Sequence, residues 1–553
     1  MPGRISRLLE YLQQHGAAYT LRRLGEKLGE QYLGTYDRLW ERMRAGDAEL
    51  QAQRDDQPPA GRISIIIPVY QTRPELLEAL GASILAQTYR DWEACLYDGC
   101  STNPGTREAL EALAARDARF RVAYGTENEG ISGNSNRALK MATGDYVVLC
   151  DHDDLLTPDA LWRVAEAVVR TGAEMLYSDE DKVTEDGRHF TDPNLKPDFC
   201  PDLLRSSNYI CHLLALRRGL VMRAGGFRSA YDGSQDHDLA LRCSELANRV
   251  EHIPRILYHW RTVGSSASHQ ALERCRKAAC DAVEAQGERM GIPCRAGLVG
   301  DTTRLQWGIR NGITIRALIT AHSDRDGEAS SGLLRKQWPG IVCEIVRTDG
   351  VGYARAVNRA ALAATEDVLL LIDSGVCPCG EGMVAELLQY AQRDDVGAVT
   401  PALVDARMRI VHAGWALMED GWARCRNRGL RLTAGGWHLL SMMTHNVAAV
   451  STACCMVRRD HFMPMNEQLP PTEAGIAWCL AMSGQGLRHV YTPWAPAMVE
   501  DRHPLTRDVH LGTICPDPCM SPWHTRGRRA DFRLRKGAIP HAADPIPSGA
   551  DAP

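Results

Sequence analysis

Along most of this chain the apolar residues come in short, nearly unbroken runs, separated by stretches whose apolar positions repeat with helical period. ISIIIPV (63–69) is one such run, and RPELLEALGASILAQ (73–87) after it reads as a helix with Pro near its first turn. EACLY (93–97), FRVAY (120–124) and YVVLC (146–150) predict further strands, with helices over 105–116 and 132–142. Apolar strands separated by helices predict an α/β architecture whose mostly parallel sheet is covered on both faces. Ligands of such sheets bind at the carboxyl ends of the strands. The polar clusters of this chain fall there.

Upstream, Ile5, Leu8, Leu9 and Leu12 fall at i, i+3, i+4 and i+7, and Leu21, Leu24 and Leu28 repeat the stripe. Residues 1–60 therefore read as a helical segment and linker, with QAQRDDQPPAG (51–61) as the linker. Arg4, Arg7, Arg22, Arg23 and Lys27 lie among the stripe residues. Such a helix either docks on its own domain or lies on an anionic membrane surface.

The pattern then repeats. NRALKMATGDYVVLCDHDD (136–154) overlies NRAALAATEDVLLLIDSGV (358–376) at a constant offset of 222 residues, and ITIRALITAHSD (313–324) is a second strand like ISIIIPVY. Two copies of one α/β unit are expected in tandem, at 62–290 and 304–510. Residues 511–553, ending HAADPIPSGADAP, read as an extended arm and a disordered tail.

Composition narrows the class. The chain has 553 residues, 44% of them hydrophobic and 24% charged, with a net charge of −5, so no basic excess points to a nucleic-acid partner. ISIIIPV and VLLLI (368–372) are far short of the ~20 apolar residues that span a bilayer. Met-Pro-Gly-Arg opens without the apolar core of an export signal, which leads us to expect a cytoplasmic protein. The 18 cysteines scatter singly, as buried free thiols would. The pairs Cys377/Cys379 and Cys515/Cys519 lack the C-x2-C spacing of a zinc site.

Two acidic clusters carry the chemistry. Asp151-His152-Asp153-Asp154 follows the strand YVVLC directly. Three carboxylates at a buried strand's exit repel one another unless a cation sits among them, and carboxylate oxygens suit Mg²⁺ or Mn²⁺. The alternative is a loop that caps the next helix, with Thr157 or Asp154 as N-cap. The second cluster, Ser234-Gln235-Asp236-His237-Asp238, precedes the helical run ALRCSEL. Its carboxylates either cap that helix or supply a general base able to reach a substrate hydroxyl.

Taken in order, these residues resemble glycosyltransferase family 2 enzymes of the GT-A fold, from Arg62 to about Arg535. IIIPVY is similar to the family's opening strand, and Tyr97-Asp98-Gly99-Cys100-Ser101-Thr102 to its Asp-Asp-Gly-Ser-Thr turn. Asn128-Glu129-Gly130 with Asn134-Ser135-Asn136 resembles its Asn-x-Gly segment, GDYVVLCDHDDLLTPDAL its D-x-D loop, SQDHDLALR its base-bearing motif, and YHWRTVGSSAS (258–268) its His-Trp-Arg segment. The stretch from LYSDEDK to NLKPDFCPDLL looks like bacterial members that build O-chains, capsules or other surface glycans. Tyr97 and Ser135 depart from the pattern, standing where many members have Asp and Arg.

The resemblance implies an inverting, metal-dependent transferase that moves a sugar from a nucleotide donor to a hydroxyl of a surface glycan. Pro68, Tyr70, Asp98, Asn128, Gly130, Asp151, His152 and Arg261 would line the nucleotide sugar, with Arg261 on the diphosphate. Asp151, Asp153 and His259 would hold Mn²⁺ or Mg²⁺, and Asp236 would be the base. A lipid-linked acceptor would place the protein at the inner face of the cytoplasmic membrane, with the Arg-rich N-terminus as a peripheral contact. A glycan-binding or assembly scaffold and a protein acceptor are the alternatives. In the second copy Asp153 becomes Gly375 and Asp236 becomes Ala474, so that copy is expected to be catalytically silent. A G-x-x-x-x-G-K-[ST] or G-x-G-x-x-G fingerprint is absent from the sequence.

Overall fold

The computed structural model describes residues 36–262, 269–300, 302–500, 503–512 and 517–521. The stripe from Ile5 to Leu28, its arginines, Cys515 and the tail from 522 lie outside the described residues. Two short helices come first, α1 (Tyr36–Met43) and α2 (Asp47–Asp55). The helix α2 takes in the first five residues of the expected linker, because Gln53 is buried and its Oε1 accepts from the Thr88 hydroxyl at 2.8 Å.

The upstream unit then runs β1 (Ile63–Val69), α3 (Pro74–Leu85), β2 (Trp92–Asp98), α4 (Pro104–Arg116), β3 (Phe120–Tyr124), α5 (Gly130–Met141) and β4 (Tyr146–Leu149). It continues with β5 (Leu155–Leu156), α6 (Ala160–Thr171), β6 (Met175–Thr184), β7 (Phe190–Asn194), α7 (Pro201–Ser206) and β8 (Leu214–Arg217). The helices α8 (Arg218–Arg223) and α9 (Gln235–Leu246), the long strand β9 (Val250–Thr262) and α10 (His269–Arg289) complete it. Sheet order is β3-β2-β1-β4-β8-β6-β9-β5, with β7 pairing β6. The strands β1 to β4 pair in parallel, as do β6 and β9, whereas β8 runs antiparallel to both β4 and β6.

Strand alternation sorts the core. Ile63, Ile65, Ile67 and Val69 pack on one face with Leu77, Leu80 and Leu110 from α3 and α4, while Ile66 faces Ala138, Leu139 and Leu239 from α5 and α9. Both faces of β1 are dry, which is why the run reads as continuously apolar rather than alternating.

The downstream sheet repeats the order from β2 onward, with no described strand in the place of β3: Val342–Arg347, Ile315–Ala321, Val368–Asp373, Cys454–Arg458, Val396–Val404, Arg488–Met498 and Cys377–Pro378. In the first unit Tyr146 pairs with Ile63, and in the second Val368, 222 residues on, pairs with Ile315, so equivalent strands pair in parallel in both. The apolar layer beneath the upstream sheet is continuous with that of the downstream one. Asp202 of α7 spans the junction: Arg393 donates to its Oδ1 at 2.5 Å, Asn446 Nδ2 to its Oδ2 at 3.0 Å, and its own N–H donates to Asn446 Oδ1. No helix among the described residues is long and apolar enough to cross a membrane.

Candidate active site

Parallel pairing of β1, β2 and β4 brings their carboxyl ends to one edge of the sheet, and three expected residues meet there. Pro68 lies beside Tyr97 in the β1–β2 register, Tyr70 stands 43% exposed just past β1, and Asp98 closes β2. Asp98 accepts from the Ser101 hydroxyl at 2.5 Å and from the Ser101 N–H, which fixes the carboxylate in the turn. Asn128 Oδ1 accepts from the Gly130 N–H and from Asn134 Nδ2, shaping the entry to α5. Gly130 adopts φ +76°, and a Cβ there would lie 2.8 Å from Asp232 Oδ2. Only glycine allows this approach of the 231–234 loop, which leads into the first turn of α9.

The acidic cluster follows β4. Asp154 is fully buried and both its oxygens are engaged: the Tyr258 hydroxyl donates to Oδ2 at 2.6 Å and the Arg261 N–H to Oδ1 at 2.7 Å. Burial, then the charge of Asp151, pushes its carboxyl well above the usual range. Asp151 is more open and lies 3.5 Å from His212 Nε2. Enclosure opposes its ionisation, but His212 and His152 more than offset this and hold its carboxyl below the ordinary value. Burial disfavours the His212 imidazolium, yet the hydrogen bond and charge of Asp151, with Asp154 and Glu180, push it up to about 9. Asp153 and His152 flank this pair, each about a third exposed.

Asp151, Asp154 and His212 bring ligand atoms within 4.8 Å of one another, the one such group among the described residues. Asp154 already accepts two hydrogen bonds, and Asp153, expected as a ligand, is not part of this group. Carboxylate oxygens are donors of the kind that Mg²⁺ or Mn²⁺ takes.

His259 does not join this cluster, which corrects its expected role as a metal ligand. Tyr258 turns to the cluster, its ring stacked on His212 at 4.5 Å. His259 turns away, its Nδ1 bonded to Asp181 Oδ1 at 2.5 Å and its ring against Trp40 and Phe190. Arg261 returns to the site: Nε donates to the Asp153 carbonyl and Nη1 to that of Glu185, while Nη2 is buried without a partner.

Asp236 stands in the first turn of α9, where Asn208 Nδ2 donates to its Oδ2 at 2.8 Å. The neighbouring acid, Asp238, is consumed by Arg228 and Arg242, which hold its carboxyl below the usual range against the effect of burial. Asn208 and His212 belong to one loop between α7 and β8, so a single short segment touches both acidic clusters. Neither residue was singled out from the sequence.

In the second unit the matching strand end is closed. Asp373 accepts from the Thr320 hydroxyl at 3.0 Å and the Gly375 N–H at 2.9 Å, and His503 Nε2 lies 3.2 Å away. Ala474 lies fully buried in the helix Pro471–Ser483.

Residues 64–221 match the family profile described as Glycosyl transferase family 2. That match ends before Asp236, Tyr258 and Arg261. The chain is 32% identical over 481 residues to "Uncharacterized protein y4gI" of Sinorhizobium fredii, covering 78% of this chain and 52% of the relative. It is 29% identical over 471 residues to "O-antigen biosynthesis protein RfbC" of Myxococcus xanthus, covering 78% of this chain and 36% of the relative. The chain thus spans about half or less of the length of these curated relatives. Among solved structures, the mannosyltransferase PcManGT of Pyrobaculum calidifontis is 21% identical, with 49% of this chain and 76% of that chain covered at a TM-score of 0.33, too loose a superposition to bear on the site.

Proposed function

We propose, from the premise that residues 64–221 belong to glycosyltransferase family 2, that the upstream unit transfers a sugar from a nucleotide donor to a hydroxyl of a bacterial surface glycan, with inversion at the anomeric carbon. The observation that carries this reading is the meeting of two acidic clusters across one loop: Asn208 on Asp236 and His212 on Asp151.

In this reading Asp151 and Asp153 hold a divalent cation, which when bound offsets charge on the departing nucleoside diphosphate. The unpartnered Nη2 of Arg261 is the protein's own donor to the same diphosphate. Pro68, Tyr70 and Asp98, at the ends of β1 and β2, receive the nucleoside, with Asn128, Gly130 and His152 alongside. Asn208 orients the Asp236 carboxylate through Oδ2, leaving Oδ1 to take the proton of the acceptor hydroxyl as it attacks the sugar. A surface-glycan acceptor is supported by the relative named for O-antigen biosynthesis. The second unit, its Asp373 bonded on both oxygens and Ala474 in place of a base, is read as carrying no transfer site.

The test is a panel of nucleotide sugars with Mn²⁺, scored by nucleoside diphosphate release with and without chelator. Release from one donor class that chelator stops is the expected result. Release unaffected by chelator, or no release from any donor, overturns the reading.

A further inference from the structure

We propose that Lys196 is a positioning residue for the transfer site, its buried ammonium clamping the loop that carries Asn208 and His212; the inference deepens the functional reading above and rests on it for the word transfer alone. Lys196 lies in the LKPD stretch that follows β7, a motif given no role so far. Its side chain is fully buried. An ammonium has three N–H donors, and all three are spent on backbone carbonyls: Ser178 at 2.6 Å, Ile210 at 2.6 Å and His212 at 2.5 Å. Two of those carbonyls belong to the loop itself. Glu180 completes the clamp: its Oε2 lies 3.5 Å from Nζ and accepts the His212 N–H at 3.0 Å, while its Oε1 accepts from Asn194. The Lys196 N–H is itself tied to Asp179 Oδ1 at 2.8 Å.

The loop needs holding. Between Asn208 and His212 sits Cys211 at φ +37°, a backbone conformation that non-glycine residues seldom adopt and that persists only where surrounding contacts impose it. The cost of sequestering a charge from water amounts to several kcal/mol, and a well-packed apolar side chain would serve stability as well or better. What an ammonium does that an apolar group does not is gather three carbonyls to one point. That point fixes the peptide units presenting His212 to Asp151 and, through the same turn, Asn208 to Asp236. Groups one step removed from a metal or base typically change affinity or rate by about 10–100-fold when lost.

The full chain carrying K196M, K196R or E180Q tests this with two readouts that need no donor. In folded K196M, hydrogen exchange of the peptide covering 208–213 should rise about tenfold or more while that of β1 is unchanged, and affinity for Mn²⁺ alone should fall about tenfold. Where a donor is known, kcat should fall about 100-fold with the donor KM moving less, and K196R should recover part of each loss. Unchanged exchange and Mn²⁺ affinity in folded K196M overturn the proposal, as does a loss of protection spread evenly over both sheets. Should K196M fail to fold, E180Q keeps the buried charge and carries the same expectations at about tenfold or less, and an E180Q protein identical to wild type overturns it. A wild-type chain that releases nucleoside diphosphate from no donor defeats the functional reading, while the exchange and Mn²⁺ results still decide the clamp.

Discussion

The Tyr258 hydroxyl donates to Asp154 Oδ2 at 2.6 Å beneath the ring of His212, so one tyrosine both steadies the buried acid and carries the imidazole that pairs with Asp151. Y258F keeps the ring and removes the donor. The Asp154 oxygen is then buried and short of one partner, which costs about 1–3 kcal/mol. Urea unfolding of Y258F should show that loss. A variant as stable as wild type would mean that the hydroxyl contributes nothing there.

Replacement of the base separates binding from chemistry. D236N retains shape and the contact with Asn208 but cannot accept a proton, so turnover should fall by about 10²–10⁴-fold with donor KM little changed. N208A leaves the carboxylate free to rotate, and its smaller loss should likewise fall on kcat. Loss of donor affinity with normal turnover at saturation would remove Asp236 from the role.

The two metal-ligand assignments divide cleanly. D153N should weaken Mn²⁺ binding, read by electron paramagnetic resonance on the full chain, because it removes one of the open carboxylates. H259Q should leave Mn²⁺ affinity unchanged and instead lower thermal stability, since His259 is spent on Asp181, which the Tyr36 hydroxyl also binds at 2.6 Å. Reduced Mn²⁺ affinity in H259Q would restore the assignment rejected here.

Much of the fold was legible because the central strands of each unit, such as Ile63–Val69 and Val396–Val404, are dry on both faces. The run 63–69 and the run 120–124 are the strands themselves, and the repeat reappears as a sheet order that matches from β2 onward. His259 was expected beside Asp151 and Asp153, and the sequence held no sign that its Nδ1 is bonded to Asp181. Asn208, His212 and Lys196 left no mark either. They lie in irregular segments on either side of α7, without periodicity, and Asn208 meets Asp236 across 28 residues only once α7 and α9 have packed. Nor could the sequence indicate that the second unit grips α7.

That grip is testable. Arg393 is fully buried against Asp202, whose carboxyl burial would raise but which Arg393 and Arg205 hold well below the usual range. R393M removes the cationic partner that crosses the junction and leaves the carboxylate to Arg205 and Asn446, so the loss should fall below the ~3–5 kcal/mol of a fully broken buried pair. The unfolding midpoint in urea should fall accordingly, and the double variant R393M/D202L, which takes the carboxylate from the buried Arg205 as well, should not recover it. A single variant as stable as wild type would show that the pair does not hold the units together.

At the far end of β2 from the site, Glu93 gives the acid limb of stability a definite owner. It is buried, and accepts from the Ser64 hydroxyl at 2.7 Å, the Thr143 N–H at 2.6 Å, the Thr143 hydroxyl at 2.9 Å and Arg121 at 2.9 Å. Burial alone would raise its carboxyl, but these donors outweigh it and bring the group from 4.5 down to about 2. A carboxyl depressed by folding binds its proton more readily in the unfolded chain. Its contribution is therefore complete above pH 4.5 and is lost as the pH falls from there toward 2. By pH 3.5 the loss amounts to about 1.4 kcal/mol. The glutamine of E93Q does not titrate, so the drop in unfolding free energy between pH 6 and pH 3.5 should be smaller in E93Q than in wild type by about that amount. Equal drops in the two proteins would mean that the carboxylate gains nothing from Ser64, Thr143 and Arg121 over water.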